Sequence, residues 1–387
     1  MKDFLILIWI VILLLGGVYA GQIFIFIHGL SRLRRGTGTR RYTVNVIVAA
    51  RNEEHHIEKS VRALLAQDYP RDLYSIIVVD DQSTDRTAEI VDEFARKYPN
   101  VRLLKIQNRP HDVSPIINAT NEAISQSSAE VILTTDADSA VGPGWISGMV
   151  RHFHENVGVI SGLTLFEDVR SIPRLLFGFQ FIDFFSNTAC GAGSIGIGAP
   201  MNCNGSNMGF RRQAFDDVGG YGSIAQLNSG SDSLLAQKIA ATKRWKMRFA
   251  FEPETHVLTL PVTSWAQLLH QRMRWAGQTS HYQRFSTMLF LVTSFLLYLL
   301  LLLFTPVSLF YFSIVPVPIV VLLLKFCVDY LIISKFLKLT KVRGLRKYFL
   351  VSEIIHVPVI LTAVFGSFFG SYEWKGRRME REISQHA

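Results

Sequence analysis

Val131-Ile132-Leu133-Thr134-Thr135-Asp136-Ala137-Asp138 is a short apolar strand that runs directly into two carboxylates one residue apart. An uncharged run of this length, bounded by polar residues, reads as a strand buried on both faces. The pattern recurs upstream. Val44 to Ala49 is a first buried strand, and Ile76 to Val79 is a second that ends in Asp80-Asp81. Val101 to Ile106 is a third strand. Amphipathic helical segments occupy 54–67, 86–97 and 116–126, and Ser83-Thr84-Asp85 supplies N-cap chemistry for the second of them. Strands and helices alternating at this spacing predict an α/β chain with a parallel, doubly wound sheet. Ligands of such sheets bind at the carboxyl ends of the strands, where both acidic clusters fall.

The flanks have a different composition. Of the 387 residues, 49% are hydrophobic, and the surplus is concentrated in 4–27 and 287–370. Phe4 to Ile27 carries no charge. As a helix it would reach roughly 36 Å, more than a bilayer's ~30 Å hydrocarbon core. Val18-Tyr19-Ala20 resembles a signal-peptide cleavage site, but the apolar run is too long and continues past it. Arg32, Arg34, Arg35, Arg40 and Arg41 follow without an intervening acid, which places residue 28 onward in the cytosol. Three further spans are expected near 289–304, 314–333 and 349–370. Lys325 and Asp329 can pair at i,i+4 in the second, and Glu353, His356 and Pro358 fall in the third. Near span ends, snorkelling explains such groups equally well. The tail carries Lys375, Arg377, Arg378 and Arg381. Either its three glutamates offset the positive-inside bias or the last segment does not fully cross.

These boundaries give a transmembrane helix at 1–28, an α/β domain at 42–260, an interfacial helix at 261–286, about three transmembrane helices at 287–370 and a tail at 371–387. The expected location is the inner (plasma) membrane, multi-pass, with the α/β domain cytoplasmic. The net charge of +9 lies largely beside the apolar runs, including Lys335, Lys338, Lys341, Arg343, Arg346 and Lys347. Anionic lipid headgroups are the partner this implies, and nucleic acid is excluded. Cys190, Cys203 and Cys327 lack Cys-x-x-Cys spacing and read as free thiols.

Two carboxylates one residue apart, just past a strand end, suit a Mg²⁺ or Mn²⁺ ion, which both prefer hard oxygen ligands. Such a cation absorbs the charge that develops on a diphosphate leaving group. Asp136 and Asp138 are the candidate metal ligands.

The stretch from about Val44 to about Tyr282 resembles the family 2 glycosyltransferases, which have a GT-A fold. Val48-Ala49-Ala50-Arg51-Asn52-Glu53-Glu54 is similar to the family's nucleotide-contacting start, and Asp80-Asp81-Gln82-Ser83-Thr84-Asp85 to its second element. The resemblance assigns Ala49, Arg51, Glu53, Asp80, Asp81 and Asp136 to the nucleotide-sugar donor, with either Asp80 or Asp81 touching the base or ribose. Gly205-Ser206-Asn207-Met208-Gly209-Phe210-Arg211-Arg212 resembles the acceptor-side segment and marks Gly205 and Asn207. Ser229-Gly230-Ser231-Asp232-Ser233-Leu234-Leu235 resembles the segment with the catalytic base. The family usually has two or three acids there, and here Asp232 is the one candidate. Gln271-Arg272-Met273-Arg274-Trp275 resembles the Gln-x-x-Arg-Trp motif of membrane-bound members. Gln271, Arg274 and Trp275 would share one helix face, with Arg274 on the diphosphate and Trp275 also at the acceptor entry. An interfacial helix with snorkelling arginines reads equally well from these residues. After His111-Asp112-Val113, where relatives carry lysine, Ile116-Ile117 follow.

The resemblance implies a membrane-bound inverting glycosyltransferase with a nucleotide-sugar donor, a divalent cation and a lipid acceptor, its layout similar to bacterial lipid and carotenoid glucosyltransferases. A processive polysaccharide synthase and an inactive membrane scaffold are the rival readings. Phe177, Phe179, Phe181, Phe184 and Phe185 suggest either a core helix or a headgroup-level segment that guides the lipid. Gly191-Ala192-Gly193-Ser194-Ile195-Gly196 spells a dinucleotide fingerprint but follows no strand, so a mobile glycine-rich loop near the acceptor is expected. Sugar, base, acceptor identity and oligomeric state are not encoded in any motif.

Overall fold

The computed structural model of the protein describes residues 2–108, 110, 113–227, 230–282, 284–308, 310, 316–369, 372–374 and 377–379. His111, Asp112, Ser229, Lys375 and Arg381, which figure in the sequence reading, lie outside the described residues. The chain divides into two compact units. One comprises Arg34–Val169, Asn202–Pro261 and Ser371–Ala387; the other comprises Met1–Leu33, Arg170–Met201 and Val262–Gly370.

The first unit is built on a seven-stranded sheet. Its strands are β1 (Val44–Ala50), β2 (Tyr74–Asp80), β3 (Val101–Lys105), β4 (Val131–Thr134), β6 (Val157–Gly162), β8 (Met208–Arg211) and β9 (Lys246–Ala250). The spatial order is β3-β2-β1-β4-β8-β6-β9. β3, β2, β1 and β4 run parallel, as expected, and β8 lies antiparallel between β4 and β6. Helices α2 (Ile57–Leu65), α3 (Thr87–Lys97) and α4 (Pro115–Ser125) supply the crossovers. β1 is buried along almost its whole length, because helices cover both faces of a parallel sheet. Val46, Val48, Ile76, Val78, Val131 and Leu133 form the centre of its core. A small second sheet, β5 (Ala140–Val141), β10 (Val257–Thr259) and β7 (Thr164–Phe166), lies beyond the metal motif in the chain. Its strands are two or three residues long, too short for any periodicity to show.

The arginine-rich segment after the first apolar helix is fastened to this unit. Gly36 N donates to Glu252 Oε1 at 2.8 Å, and Gly38 N donates to the Arg151 carbonyl at 2.8 Å. Glu252 also faces the buried His152, with Nε2 to Oε2 at 3.0 Å. Burial alone would raise the Glu252 carboxyl. The bond and charge of His152 and the Gly36 amide outweigh it and bring the carboxyl from 4.5 down to about 2. A depressed carboxyl contributes stability that is present above its unfolded value and is lost as pH falls through the folded one. The thermal midpoint of the detergent-solubilised chain is therefore expected to fall between pH 4.5 and about 2. Glu252→Gln should flatten part of that fall, and an unchanged profile would contradict the assignment.

The second unit contains α1 (Lys2–Arg32), α6 (Arg174–Gly196), α9 (Trp265–Gly277), α10 (Phe285–Ser308), α11 (Pro316–Thr340) and α12 (Phe349–Phe369). Among the described residues, four segments are long and apolar enough to cross a membrane: Phe4–Arg32, Phe285–Ser308, Pro316–Thr340 and Arg346–Phe368. Two expectations are corrected here. The glycine-rich stretch 191–196 is no mobile loop but the buried end of α6, pressed against α1. Gly29 and Gly193 let the two backbones touch, since a Cβ on Gly193 would fall 2.5 Å from the Phe26 carbonyl oxygen. Gly193→Val is expected to destabilise the protein by about 3 kcal/mol, because backbone, unlike a side-chain tip, cannot yield. A melting temperature equal to that of the unsubstituted chain would contradict this packing.

Snorkelling fails for the polar groups of the spans. Lys325 is 3% exposed and pairs with Asp329 at 2.8 Å and with Glu353. Tyr19 donates its hydroxyl to Asp329 at 2.7 Å. The predicted i,i+4 pair is thus part of a buried cluster drawn from α1, α11 and α12. Both thiols at 190 and 203 are free and buried, and Cys327 is free and exposed. Burial pushes the Cys203 thiol up, so it stays protonated and inert.

Candidate active site

The register of the parallel strands sets the site. Ala50 lies opposite Asp80 and Ile47 opposite Thr134, so the carboxyl ends of β1, β2 and β4 are neighbours. The loops that leave β1 and β2 are laced together. Asp81 N donates to the Ala50 carbonyl at 2.9 Å, Arg51 Nη1 donates to the Asp81 carbonyl at 2.7 Å, and Glu53 N donates to Thr87 Oγ1 at 2.7 Å. Asn52 and Gln82 adopt left-handed φ angles of 53° and 58°. The Asn52 side chain accepts from Thr84 N at 2.9 Å, which offsets the strain of that conformation. Glu53, Asp80 and Asp81 are buried at 6%, 5% and 5% exposure. One Asp80 carboxylate oxygen, Oδ1, has no hydrogen-bond partner among the described residues.

At the end of β4 the chain turns through Asp136-Ala137-Asp138. Ser139 N donates to the Asp136 carbonyl at 3.1 Å, Ala137 is buried, and Asp136 is exposed while Asp138 is half-buried. Asp138 Oδ1 accepts from Thr259 Oγ1 of β10 at 3.4 Å. Thr134 Oγ1 donates to the Gly205 carbonyl at 2.7 Å, and Gly205 N donates to Asp232 Oδ2 at 2.6 Å. These two bonds connect the edge that carries Asp136 and Asp138 to Asp232. Asp232 stands in the first turn of α8 (Ser231–Ala241), and its Oδ1 accepts from Ser233 N at 2.8 Å. One amide of the first turn of α8 and one of the segment before β8 thus each hold one carboxylate oxygen. Ser233 Oγ also donates to the Cys203 carbonyl and accepts from Cys203 N, both at 3.0 Å. The segment before Gly205 is therefore fixed against α8.

Asn207 departs from its expected acceptor role. It is fully buried; its Oδ1 accepts from Trp145 Nε1 at 3.0 Å, and its Nδ2 donates to the carbonyls of Leu163 and Thr255 at 3.0 and 2.8 Å. A fully buried amide engaged at both ends braces the segments that lead into β7 and β10. Gly205 keeps its place beside Asp232, where a Cβ would fall 3.2 Å from Oδ2.

Gln271, Arg274 and Trp275 belong to the other unit. All three sit half-buried on α9, whose N-terminus is capped by Ser264 accepting from Gln267 N at 3.2 Å. Sequence reasoning passed over their neighbour Arg272, which is 4% exposed and bonds Asp183 of α6 at 2.6 Å. A lone acid in the aromatic run around Asp183 was the available signal, since a buried carboxylate demands a cationic partner. Phe177, Phe179, Phe181 and Phe185 of that run are buried, as expected of a core helix.

Residues 51–385 match the family model described as Glycosyl transferase family 21, and the chain belongs to that family. The expectation of a family 2-like, GT-A glycosyltransferase is thereby borne out. Among curated relatives, the β-monoglucosyldiacylglycerol synthase of Synechocystis sp. is 30% identical over 62% of this chain and 48% of its own length. A poly-β-1,6-N-acetyl-D-glucosamine synthase of Staphylococcus epidermidis is 26% identical over 60% of this chain and 53% of its own. The chain spans about half the length of these relatives. Among solved structures, a mannosyltransferase from Pyrobaculum calidifontis, in complex with GDP-Man and Mn²⁺, aligns with a TM-score of 0.59. It covers 94% of this chain and 99% of its own at 17% identity, a likeness that shows the GT-A fold.

Proposed function

We propose that the protein is a membrane-bound inverting glycosyltransferase that moves a sugar from a nucleotide-diphosphate sugar to a lipid hydroxyl. The observation that carries the reading is the link from Thr134, at the end of the strand that leads into Asp136 and Asp138, to the Gly205 carbonyl, and from Gly205 N to the carboxylate of Asp232, in a chain whose described residues include four helices apolar enough for a bilayer. The partnerless oxygen of Asp80, buried at the carboxyl edge of the sheet, suits a donor hydroxyl or base N–H of the nucleotide, with Ala49, Arg51, Glu53 and Asp81 around it.

Among the described residues no cluster of three His, Cys, Asp or Glu side chains could enclose a metal. Asp136 and Asp138 alone fit a Mg²⁺ or Mn²⁺ that takes its remaining oxygens from diphosphate and water, which is how Mg²⁺ is commonly held. Such a cation would neutralise the diphosphate leaving group. Arg274 adds a fixed positive charge for the same diphosphate, in the absence of a lysine near Ser114. Asp232 takes the proton of the acceptor hydroxyl as its oxygen bonds to the anomeric carbon, and the bond to the diphosphate oxygen breaks on the opposite face. A single displacement of this kind inverts the anomeric centre.

The lipid acceptor draws support from the apolar helices and from the glycolipid synthases among the relatives. The arginines after α1 support a cytosolic sheet unit in the plasma membrane. A polysaccharide synthase also stands among the relatives, yet the four spans among the described residues are few for an export channel. Proton NMR of the product made from an α-linked donor tests the chemistry: a β-linked anomeric proton is expected, and a retained α-linkage would rule out Asp232 as base of a single displacement.

A further inference from the structure

Arg272 carries three contacts at once. Its Nε donates to Asp183 Oδ2 at 2.6 Å, its Nη1 donates to Gln271 Oε1 at 2.5 Å, and its Cζ lies 4.2 Å from the centroid of the Trp275 ring. Phe184, next to Asp183 on α6, brings its own ring to 5.7 Å from that of Trp275. His356 Nε2 of α12 lies 3.4 Å from the other Asp183 oxygen. One carboxylate on α6 therefore orients a guanidinium, and that guanidinium holds two side chains of the α9 motif.

A planar guanidinium transmits orientation in a way an ammonium cannot: with Nε fixed, the direction of Nη1 and the plane of the ring stack are both fixed. A buried ion pair is weak support for stability by itself, since desolvation offsets most of the attraction. What distinguishes this one is where the rest of the fork points. Burial alone would raise the Asp183 carboxyl, but the charge of Arg272 and the bond from His356 hold it at about 2, so it stays ionised throughout the physiological range. Asp183 is 8% exposed and Arg272 4%, which leaves neither as a surface contact for a ligand.

We propose that Asp183 is a positioning residue for the α9 motif: through Arg272 it sets the Gln271 amide and the Trp275 indole in their ligand-binding orientation. The inference rests on the reading of α9 as a donor- and acceptor-binding helix given above. It is tested on the detergent-purified full chain by two readouts. Subtracting the near-ultraviolet circular dichroism of Trp275→Phe from that of the unsubstituted chain isolates the Trp275 band. The same subtraction in an Asp183→Asn background is expected to lose that band, because the indole is no longer held in one orientation.

In parallel, kcat for transfer from UDP-glucose, the probe donor, is expected to fall about a hundredfold in Asp183→Asn. Asp183→Glu, which keeps the carboxylate, should recover much of the activity and the band, and Arg272→Met should reproduce the loss. A Trp275 band unchanged in Asp183→Asn overturns the proposal. So does failure of both Asp183→Asn and Arg272→Met to fold, which would make the pair structural. If the unsubstituted chain transfers from no nucleotide-sugar, the reading of the function fails, and the dichroism alone decides the positioning.

Discussion

Asp232→Asn is expected to lower the rate of transfer by about a thousandfold while leaving the melting temperature near that of the unsubstituted chain, within the range general-base removal usually spans. Asparagine has the shape of aspartate, and its one oxygen can still accept from the Gly205 amide that now bonds Asp232 at 2.6 Å; the bond from Ser233 N is lost, a cost of about 1 kcal/mol. It cannot take a proton from a hydroxyl. Related glycosyltransferases usually have neighbouring acids in this segment; here Ser231 and Ser233 flank the position, and Ser233 is committed to the Cys203 backbone. No adjacent carboxylate is available as a substitute base. Donor KM should change little, because the loss is confined to the transition state. Steady-state kinetics on the detergent-purified protein check this, and a variant within a few-fold of full activity would remove Asp232 from the chemistry.

Asp138→Ala is the second large effect. In the proposed site a cation is held by two carboxylates, so removing one would leave a single protein ligand. Activity at ordinary Mg²⁺ or Mn²⁺ is expected to drop by about a thousandfold, a size typical of lost electrostatic stabilisation. Raising the cation concentration should recover part of it. Chelation of the unsubstituted protein should abolish transfer, and added Mg²⁺ or Mn²⁺ should restore it. Asp138→Ala also frees Thr259 Oγ1, an exchange of one weak 3.4 Å bond that should leave the fold intact. An Asp138→Ala enzyme with unchanged rate and unchanged cation dependence would contradict the assignment.

The half of the sheet that leads into Arg51, Asp80 and Asp136 was legible because its strands are largely apolar on both faces and run into charged residues. β1, β2 and β4 show this in their burial as plainly as in their letters. The antiparallel β8 and the small β5-β10-β7 sheet were not legible: their strands of two to four residues show no period, and their partners are far away in sequence. Asn207 misled because its motif resemblance is real while its amide is turned inward to Trp145, Leu163 and Thr255. The glycines at 191, 193 and 196 misled in the opposite way. Glycine signals a turn locally, but on α6 it permits backbone contact with α1 that only tertiary structure reveals. The same holds for Asp183 and Arg272, separated by 89 positions and joined by one hydrogen bond. No local pattern couples them.

The proposed reaction moves one sugar to one lipid. Membranes containing the chain, incubated with radiolabelled nucleotide-sugars and Mg²⁺ or Mn²⁺ and then extracted with organic solvent, measure it most directly. A single labelled product in the lipid phase is expected from one of the donors, lost on chelation and absent from Asp232→Asn membranes. Label in a ladder of water-soluble polymers, or no transfer from any donor, would contradict it.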